Sequence, residues 1–300
     1  NRPLTNISIA NIQDPSLYVA DQVFPVVPVQ NKSDLYYIWD RSDFLRDEAQ
    51  DRAPGTESAG GGMKLSTNSY NCRVKAFHKD IADQDRDNAD SELQLDRAAT
   101  MLVTQKMRIR LEKQWVAGYF KTGVWAVDTT PSILWSAGAT AIPRENVDAQ
   151  KATIEAGSGL SVNTMVMGKR VFYALRSCPQ VLEQFKYTSA ESIDTAMLAQ
   201  FFGVERLLVM GAVSDSGAEG GTASYDFIGG KHVWMGHVAS TPSLMTPSAG
   251  YQFGWSGFLG SQNTGIRIKK FRRAEEFASD RIEGEMARDM KVVCSYLGCF

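Results

Sequence analysis

The stretch that decides the fold runs from Ser91 to Phe120, SELQLDRAATMLVTQKMRIRLEKQWVAGYF. It contains no proline, its first glycine is Gly118, and strong helix formers dominate it. Ser91 and Gln94 have the spacing of a capping box, so we expect the helix to begin at Ser91. A helix over 91–120 would be about 45 Å long, which exceeds the core of a small domain. The sequence therefore predicts a long helix that acts as a strut.

The predicted helix is amphipathic. Apolar residues recur at steps of three and four, which predicts one stripe facing a core: Leu95, Ala98, Ala99, Leu102, Ile109, Val116 and Tyr119. The other face carries Arg97, Lys106, Arg108, Arg110 and Lys113.

The composition is that of a globular chain with a sizeable core. The chain has 300 residues, of which 43% are hydrophobic, and a formal net charge of −2. A net charge this close to zero does not indicate specific nucleic-acid binding, which needs a strongly basic surface. No apolar run approaches the roughly 20 residues that span a bilayer. The four scattered cysteines are expected to be reduced core thiols, which indicates synthesis in a reducing cytoplasm.

Residues 1–31 are extended and polar, and four prolines interrupt any helix there. A segment of this kind has no core of its own, so it is either disordered or an arm lying on another surface. The apolar residues Phe24, Val26, Val27 and Val29 favour the arm.

A two-stranded ribbon is predicted next. Asp34–Leu45 and Ser69–Ile81 read as strands, and the Gly-rich segment 46–68 between them reads as a flexible tip. A two-stranded ribbon alone is marginally stable in water. Its exposed aromatic residues therefore need a surface, and a neighbouring subunit supplies one if the chain itself does not.

The rest of the chain reads as a mixed α+β body. Helices are expected at 146–156, 169–176 and 194–202, and strands at 164–167, 206–213, 225–228, 231–237, 253–259, 265–272 and 290–297, with 281–287 as a connector. We find no internal repeat and no clean linker.

A calcium site is the one metal reading that the sequence offers, and it fails on inspection. Asp83, Asp85 and Asp87 match the first three positions of an EF-hand loop. Asn88 then stands where glycine is needed, and Gln94 stands where the bidentate glutamate belongs.

Other chemistry is equally weak. His232 and His237 point to opposite faces of a predicted strand, the cysteines lack paired spacing, and Gly254–Phe258 ends a nucleophile-elbow pattern with phenylalanine instead of glycine. The sequence therefore assigns no catalytic residue, no cofactor and no metal site.

Taken together, the chain resembles a major capsid protein of the tailed bacteriophages. The residues that carry the resemblance are ADQVFPVVPV (20–29), DLYYIWDRSDFLRDEAQDRAPGTESAGG (34–61), the segment 80–120, and DMKVVCSYLGCF (289–300). The combination covers nearly the whole chain, although no single motif is diagnostic.

The resemblance implies an α+β fold with a fixed order of parts, which it shares with herpesvirus capsids. The implied parts are an N-terminal arm (1–31), an extended loop (32–79), a peripheral domain (80–144 and 261–300, with a spine helix at 91–120) and an axial domain (145–260).

The resemblance also implies a structural function. Copies would assemble into hexamers and pentamers that close an icosahedral head around double-stranded phage DNA, which they contact non-specifically. Scaffold, portal and decoration proteins are the implied partners, the virion is the implied location, and assembly is expected in the bacterial cytoplasm. A near-neutral charge suits such a shell, because a strongly basic wall would hold the DNA too tightly.

Two other interpretations remain open. One is a soluble α+β enzyme with residues 46–68 as a lid, and the other is a different phage structural protein. Under the capsid interpretation, we expect ribbon residues to contact a neighbouring subunit: Tyr36, Trp39, Phe44, Arg46, Glu48, Arg52 and Glu57.

Overall fold

The computed structural model describes residues 12–89, 94–186, 193–218, 220–243, 245–260, 265–273 and 277–300. The first eleven residues of the predicted arm lie outside these ranges.

Helices and strands are interspersed along the chain. The α-helices are α1 (Ala20–Val23), α2 (Arg41–Leu45), α3 (Asp83–Asn88), α4 (Leu95–Tyr119), α5 (Pro143–Ser158), α6 (Lys169–Arg176), α7 (Pro179–Phe185), α8 (Thr195–Phe202) and α9 (Ser256–Leu259). The strands are β1 (Val26–Val29), β2 (Ser33–Trp39), β3 (Leu65–Asn71), β4 (Val74–Ala82), β5 (Thr164–Gly168), β6 (Arg206–Met210), β7 (Val213–Asp215), β8 (Tyr225–Phe227), β9 (Val233–Gly236), β10 (Gly250–Trp255), β11 (Arg267–Arg273), β12 (Ser279–Val292) and β13 (Gly298–Cys299). Short 3₁₀ turns lie at Pro15–Leu17, Gly138–Thr140 and Ser295–Leu297.

Two sheets organise the molecule. The large sheet has the order β1–β10–β12–β11, and β4 also pairs with β12. The small sheet has the order β13–β9–β5–β6. β10 belongs to the large sheet and β13 to the small one.

The centre of the large sheet is β12, and here the sequence prediction was wrong. We expected 281–287 to be a connector, whereas β12 runs unbroken and pairs with β4 over Ser279–Ala287 and with β11 over Ser279–Glu285. Charges of this segment are satisfied within the sheet, so a stretch rich in charged residues can form its central strand. Glu285 is buried and binds both Arg267 and Lys269, at 2.7 and 2.8 Å.

The ribbon strands also differ from the prediction. β2 ends at Trp39, because Asp40 caps α2 by accepting a hydrogen bond from the Ser42 amide. The predicted strand 69–81 is two strands, and a break at Cys72 and Arg73 sends β3 to β2 and β4 to β12.

The long helix begins later than predicted. Gln94 has a left-handed backbone (φ 38°), so α4 begins at Leu95, and Ser91 lies outside the described residues. The predicted stripe is only partly correct, since Leu102 and Ala98 are exposed. The buried positions repeat every fourth residue over Ala99, Val103, Met107, Leu111 and Trp115.

The N-terminal segment packs against the rest of its own chain and does not need a neighbouring subunit to bury its apolar residues. Val19, Val23 and Phe24 are at most 2% exposed, and β1 pairs in parallel with β10. Buried Gln252 donates hydrogen bonds to the carbonyl oxygens of Ala20 and Phe24 at 2.9 and 3.1 Å. For residues 18–29, the expectation of an arm that requires another surface is therefore corrected.

A buried carboxylate fixes this segment to the long helix. Glu112 on α4 is 1% exposed and accepts hydrogen bonds from the amides of Val19 and Ala20, at 3.2 and 2.9 Å. Burial raises the pKa of Glu112 to about 7, although these two amide bonds oppose the rise.

The acidic segment that resembled a calcium loop is instead part of an ion-pair network. Arg272 on β11 pairs with Asp83 on α3 and with Asp280 on β12, the latter at 3.2 Å. The hydrogen bond from Arg272 holds the pKa of Asp83 below its usual value. The network ties α3 to the edge of the large sheet.

One glycine permits α4 to lie against β12. A Cβ atom on Gly284 would lie 2.6 Å from Cγ1 of Val103, a β-branched side chain with little rotamer freedom in a helix. We expect Gly284→Ala to lower the free energy of unfolding by about 1–3 kcal/mol, measured by urea denaturation.

Gly118 provides the matched control, because a Cβ atom there meets nothing within 4 Å. Gly118→Ala should be neutral or stabilising by about 0.5 kcal/mol. Adding Val103→Ala to Gly284→Ala should relieve the clash. Equal stability of the two alanine variants would contradict this account.

Stability should depend on pH through Glu112. The unfolded carboxyl ionises near 4.5, whereas the folded one keeps its proton until about 7. The Glu112 carboxyl therefore contributes most to the free energy of unfolding below pH 4.5. That free energy falls by roughly 3 kcal/mol as the pH rises to 7. Glu112→Gln removes this titration, so the stability difference between variant and wild type should change across that window. Glu155→Gln, which makes the same substitution at an exposed position, is the control for the chemical change itself.

Candidate subunit-contact site

The exposed ribbon is built by β2 and β3, which pair antiparallel from Ser33↔Asn71 to Trp39↔Leu65. Alternate residues of a strand point to opposite faces. Tyr36 and its partner Asn68 therefore share one face, while Tyr37 and Thr67 share the other.

The inner face rests on the chain's own body. Tyr70 stacks on Phe253 of β10 with ring centroids 4.5 Å apart and planes 12° apart, and Tyr36 lies 5.2 Å from the same ring. Tyr70 is 6% exposed. This three-ring stack holds the base of the ribbon against the large sheet.

The outer face has no cover. Leu35 is 60% exposed, Tyr37 68% and Leu65 49%. Trp39 lies on the same face and contacts Phe44 of α2 edge to face, at 6.5 Å between ring centroids. A row of large apolar groups in water marks an interaction surface more often than an isolated exposed residue does.

The tip of the ribbon projects into solvent, since residues 49–69 are all exposed. Arg46 pairs with Glu48 at 2.8 Å and with Asp43 at 3.6 Å. Arg52 donates to the carbonyl oxygen of Thr56 within the tip. The tip is thus organised by local contacts alone.

A cation–π contact orients the junction between ribbon and tip. The Arg41 guanidinium lies 4.3 Å from the Tyr296 ring centroid and donates to the Gly157 carbonyl oxygen at 2.6 Å. That carbonyl lies in the last turn of α5, where the helix dipole favours a positive charge.

The predicted contact residues divide into three groups. Trp39, Phe44, Arg46 and Glu48 lie together around α2, and Arg52 and Glu57 lie in the tip. Tyr36 faces its own body. Their contact with a neighbouring subunit remains a prediction.

Sequence reasoning missed the outward pair Leu35 and Tyr37. The signal was present, because strict alternation about Tyr36 separates the two faces of the strand.

A cavity of about 800 Å³ lies elsewhere, between α5, α6, β9 and the segment after α4. Asp128, Arg170 and His232 line it, and no residue of 46–68 does. Cys299 also lines it, and burial raises the pKa of this thiol to about 11. The ribbon tip therefore does not cover this cavity as a lid would.

Metal and membrane features are absent from the described ranges. No group of three or more His, Cys, Asp or Glu side chains there is placed to hold a metal ion. Among the helices of those ranges, none combines the length and apolar character needed to cross a bilayer.

Solved structures share this architecture. A phage-related protein from Bordetella bronchiseptica RB50 is similar over 96% of this chain and 92% of its own, with a TM-score of 0.69 and 20% identity. The capsid of the cyanophage P-SCSP1u is similar over 98% and 89%, with a TM-score of 0.60 and 10% identity. The capsid of a native GTA particle is similar over 100% and 94%, with a TM-score of 0.60 and 13% identity.

These likenesses show that the chain has the fold of phage capsid proteins, a mixed α+β fold with a long helix. The fold class expected from the sequence is thereby confirmed. No protein-family model matches the sequence, and no curated protein is significantly similar to it.

The two faces of the ribbon should respond differently to truncation. Tyr70→Ala removes a buried stacked ring and should destabilise the isolated chain by about 3 kcal/mol, with faster proteolysis of the ribbon. Tyr37→Ala removes an exposed ring of the same kind and should change stability by less than about 0.5 kcal/mol. Similar losses for both variants, measured by thermal unfolding and limited proteolysis, would contradict the assignment of the faces.

Proposed function

We propose that this protein is a structural major capsid subunit of a tailed bacteriophage. Copies assemble into hexamers and pentamers that form an icosahedral head around double-stranded DNA, and the chain catalyses no reaction. The observation that supports this most is the fold likeness to phage capsids over essentially the entire chain.

The division into parts is also a proposal. Residues 1–31 form the N-terminal arm and 32–79 the extended loop, residues 80–144 with 261–300 form the peripheral domain, and 145–260 form the axial domain. The exposed ribbon supports the extended loop, because it buries one face on its own body and leaves the other uncovered.

We also propose that the exposed ribbon residues become buried against a neighbouring subunit. Trp39 and Phe44 supply apolar area there, and Arg46, Glu48, Arg52 and Glu57 supply charges. Symmetric association of identical chains provides such neighbours. The local pairing of Arg46 with Glu48 is compatible with this, since exposed pairs contribute little and exchange partners readily.

Scaffold, portal and decoration proteins are proposed as further partners, and the packaged DNA as a non-specific one. The protein would be a virion component assembled in the bacterial cytoplasm. The alternative of an enzyme with a lid at 46–68 is disfavoured by the position of the cavity, which that segment does not line. The other alternative, a different phage structural protein, would be distinguished by electron microscopy, because such a protein would form no closed isometric particle.

Removing the tip should block assembly and spare folding. Asp43 accepts a hydrogen bond from the Lys64 amide at 2.6 Å, and Lys64 in turn accepts one from Asp40. The flanks are thus held together, so Gly-Ser-Gly can replace 47–62. We expect wild type to form capsomers or closed particles by sedimentation and electron microscopy, and the deletion variant to remain small with an unchanged unfolding curve.

A control replacement removes the segment 216–224, which follows β7 and precedes β8 and whose described residues 216–218 and 220–224 are exposed, with the same linker. It should assemble unless that loop also contacts a neighbour. Normal particles from the variant without 47–62, or a wild type that stays monomeric, would overturn the proposal.

A further inference from the structure

The cavity of about 800 Å³ has no part in the proposed function. It lies between α5, α6, β9 and the segment after α4, and we call it the α5–α6 cavity. Small-molecule sites are concave, largely preformed and about 300–1,000 Å³ in volume. The cavity has the size of such a site, and its lining indicates which class of molecule fits it.

The floor of the α5–α6 cavity is apolar. Val147 of α5, Met235 of β9 and Cys299 of β13 line it and are at most 6% exposed. These three side chains belong to one core cluster. Trp135 also lines the cavity, and it stacks on Phe202 with the ring planes 22° apart. The floor is therefore suited to an apolar group, and to an aromatic ring above all.

Basic side chains come together at the rim of the cavity. Arg170 lies in the first turn of α6, Lys231 and His232 precede β9, and all three are exposed lining residues. The Gly168 amide donates to the His232 carbonyl oxygen at 3.0 Å. A Cβ atom on Gly168 would overlap the Gly230 carbonyl oxygen, so glycine is needed for this close approach. The contact brings the segment of Lys231 to the start of α6, where Arg170 lies.

The charges at this rim are not all paired within the chain. Arg170 pairs with Asp226 at 2.6 Å, whereas Lys231 forms no salt bridge in the described part of the chain. The acid among the described lining residues is Asp128, which accepts a hydrogen bond from the Gly123 amide inside its own turn. The Lys231 ammonium group therefore remains available to an anion from outside the chain.

We propose that the α5–α6 cavity binds a small amphipathic anion, a free molecule with an apolar ring body and one carboxylate, sulfonate or phosphate group. The body lies on the floor against Val147, Met235 and Trp135, and the anionic group accepts a charge-assisted hydrogen bond from Lys231 at the rim. A purely apolar ligand would leave the ammonium group unused, and an inorganic anion would leave the floor in water. This ligand site is additional to the proposed function and does not depend on assembly.

Two dyes test the two halves of this ligand class. 8-Anilinonaphthalene-1-sulfonate has a ring body and one anionic group, and N-phenyl-1-naphthylamine has the same ring body without the charge. Fluorescence titration of the full chain should show a saturable site for the sulfonate dye, with about one molecule bound per chain. Saturating dye should also raise the temperature of unfolding, because it binds the folded chain.

Lys231→Glu tests the charged contact. At about 50 mM salt, it should weaken binding of the sulfonate dye at least about tenfold, because it removes a charge-assisted contact and introduces a like charge. Binding of the neutral dye should change less than about twofold. Lys32→Glu makes the same charge change at an exposed position outside the lining, and it should leave the binding of both dyes unchanged.

Filling the cavity tests where the dyes bind. Ala174→Phe places a ring in the cavity from a half-buried position on α6 and should abolish saturable binding of both dyes. Ala149→Trp narrows the cavity from an exposed position on α5, so it decides the question if Ala174→Phe does not fold. Tyr37→Ala removes an exposed ring from the outer face of the ribbon and should leave binding unchanged. Circular dichroism confirms that each variant is folded.

Each contrary result has a distinct meaning. A wild type without a saturable site, or binding that survives cavity filling in folded variants, overturns the α5–α6 cavity as a ligand site. Equal effects of Lys231→Glu on both dyes overturn the anionic group of the ligand. Loss of binding in Tyr37→Ala places the dye on the ribbon and also overturns the proposal. None of these measurements requires particles, so these failures are distinguishable from a failure of the proposed capsid function.

Discussion

The burial of one aromatic ring joins the separate parts of this molecule. Phe24 of the N-terminal segment lies within 6.4 Å of the rings of Trp115, Tyr119, Trp125 and Trp234. Those rings come from the long helix, the segment after it and the small sheet. Large aromatic groups bury about 150–250 Å² each, so a cluster of this size dominates the local free energy.

The consequence is that the two sheets share one core. Met286 and Met290 of β12 and Val166 of β5 belong to the same cluster as Phe24. A hinge between the parts would have to expose this cluster to water, which makes the body rigid. Motion is therefore left to the ribbon, where contacts are few and most side chains are exposed.

The ribbon is a structure that its own chain completes only in part. Phe253 covers its inner face, whereas Leu35, Tyr37 and Leu65 stay in water on the outer face. A shell subunit needs such a division, because an element that closed fully on its own body could not bind the next copy.

The sequence by itself determined the kinds of element and their order. It predicted the long helix, the ribbon with its exposed tip, and cysteines that lie in the core. Local signals suffice for these features, since helix propensity, alternation and glycine clusters act over a few residues. The resemblance to tailed-phage capsid proteins rested on the order of such parts, and it therefore identified the fold class.

Only the tertiary structure decided what each element buries. The sequence could not show that Glu112 is buried beneath the amides of Val19 and Ala20, nor that Gly284 lets α4 approach β12. It also misjudged β12 and the N-terminal segment, because their charges and apolar residues find partners that are distant in the chain. Contacts between separate segments, 18 residues apart for Arg267 with Glu285 and 93 residues apart for Val19 with Glu112, leave no periodic trace near the residues themselves. Burial there follows from packing and not from local pattern.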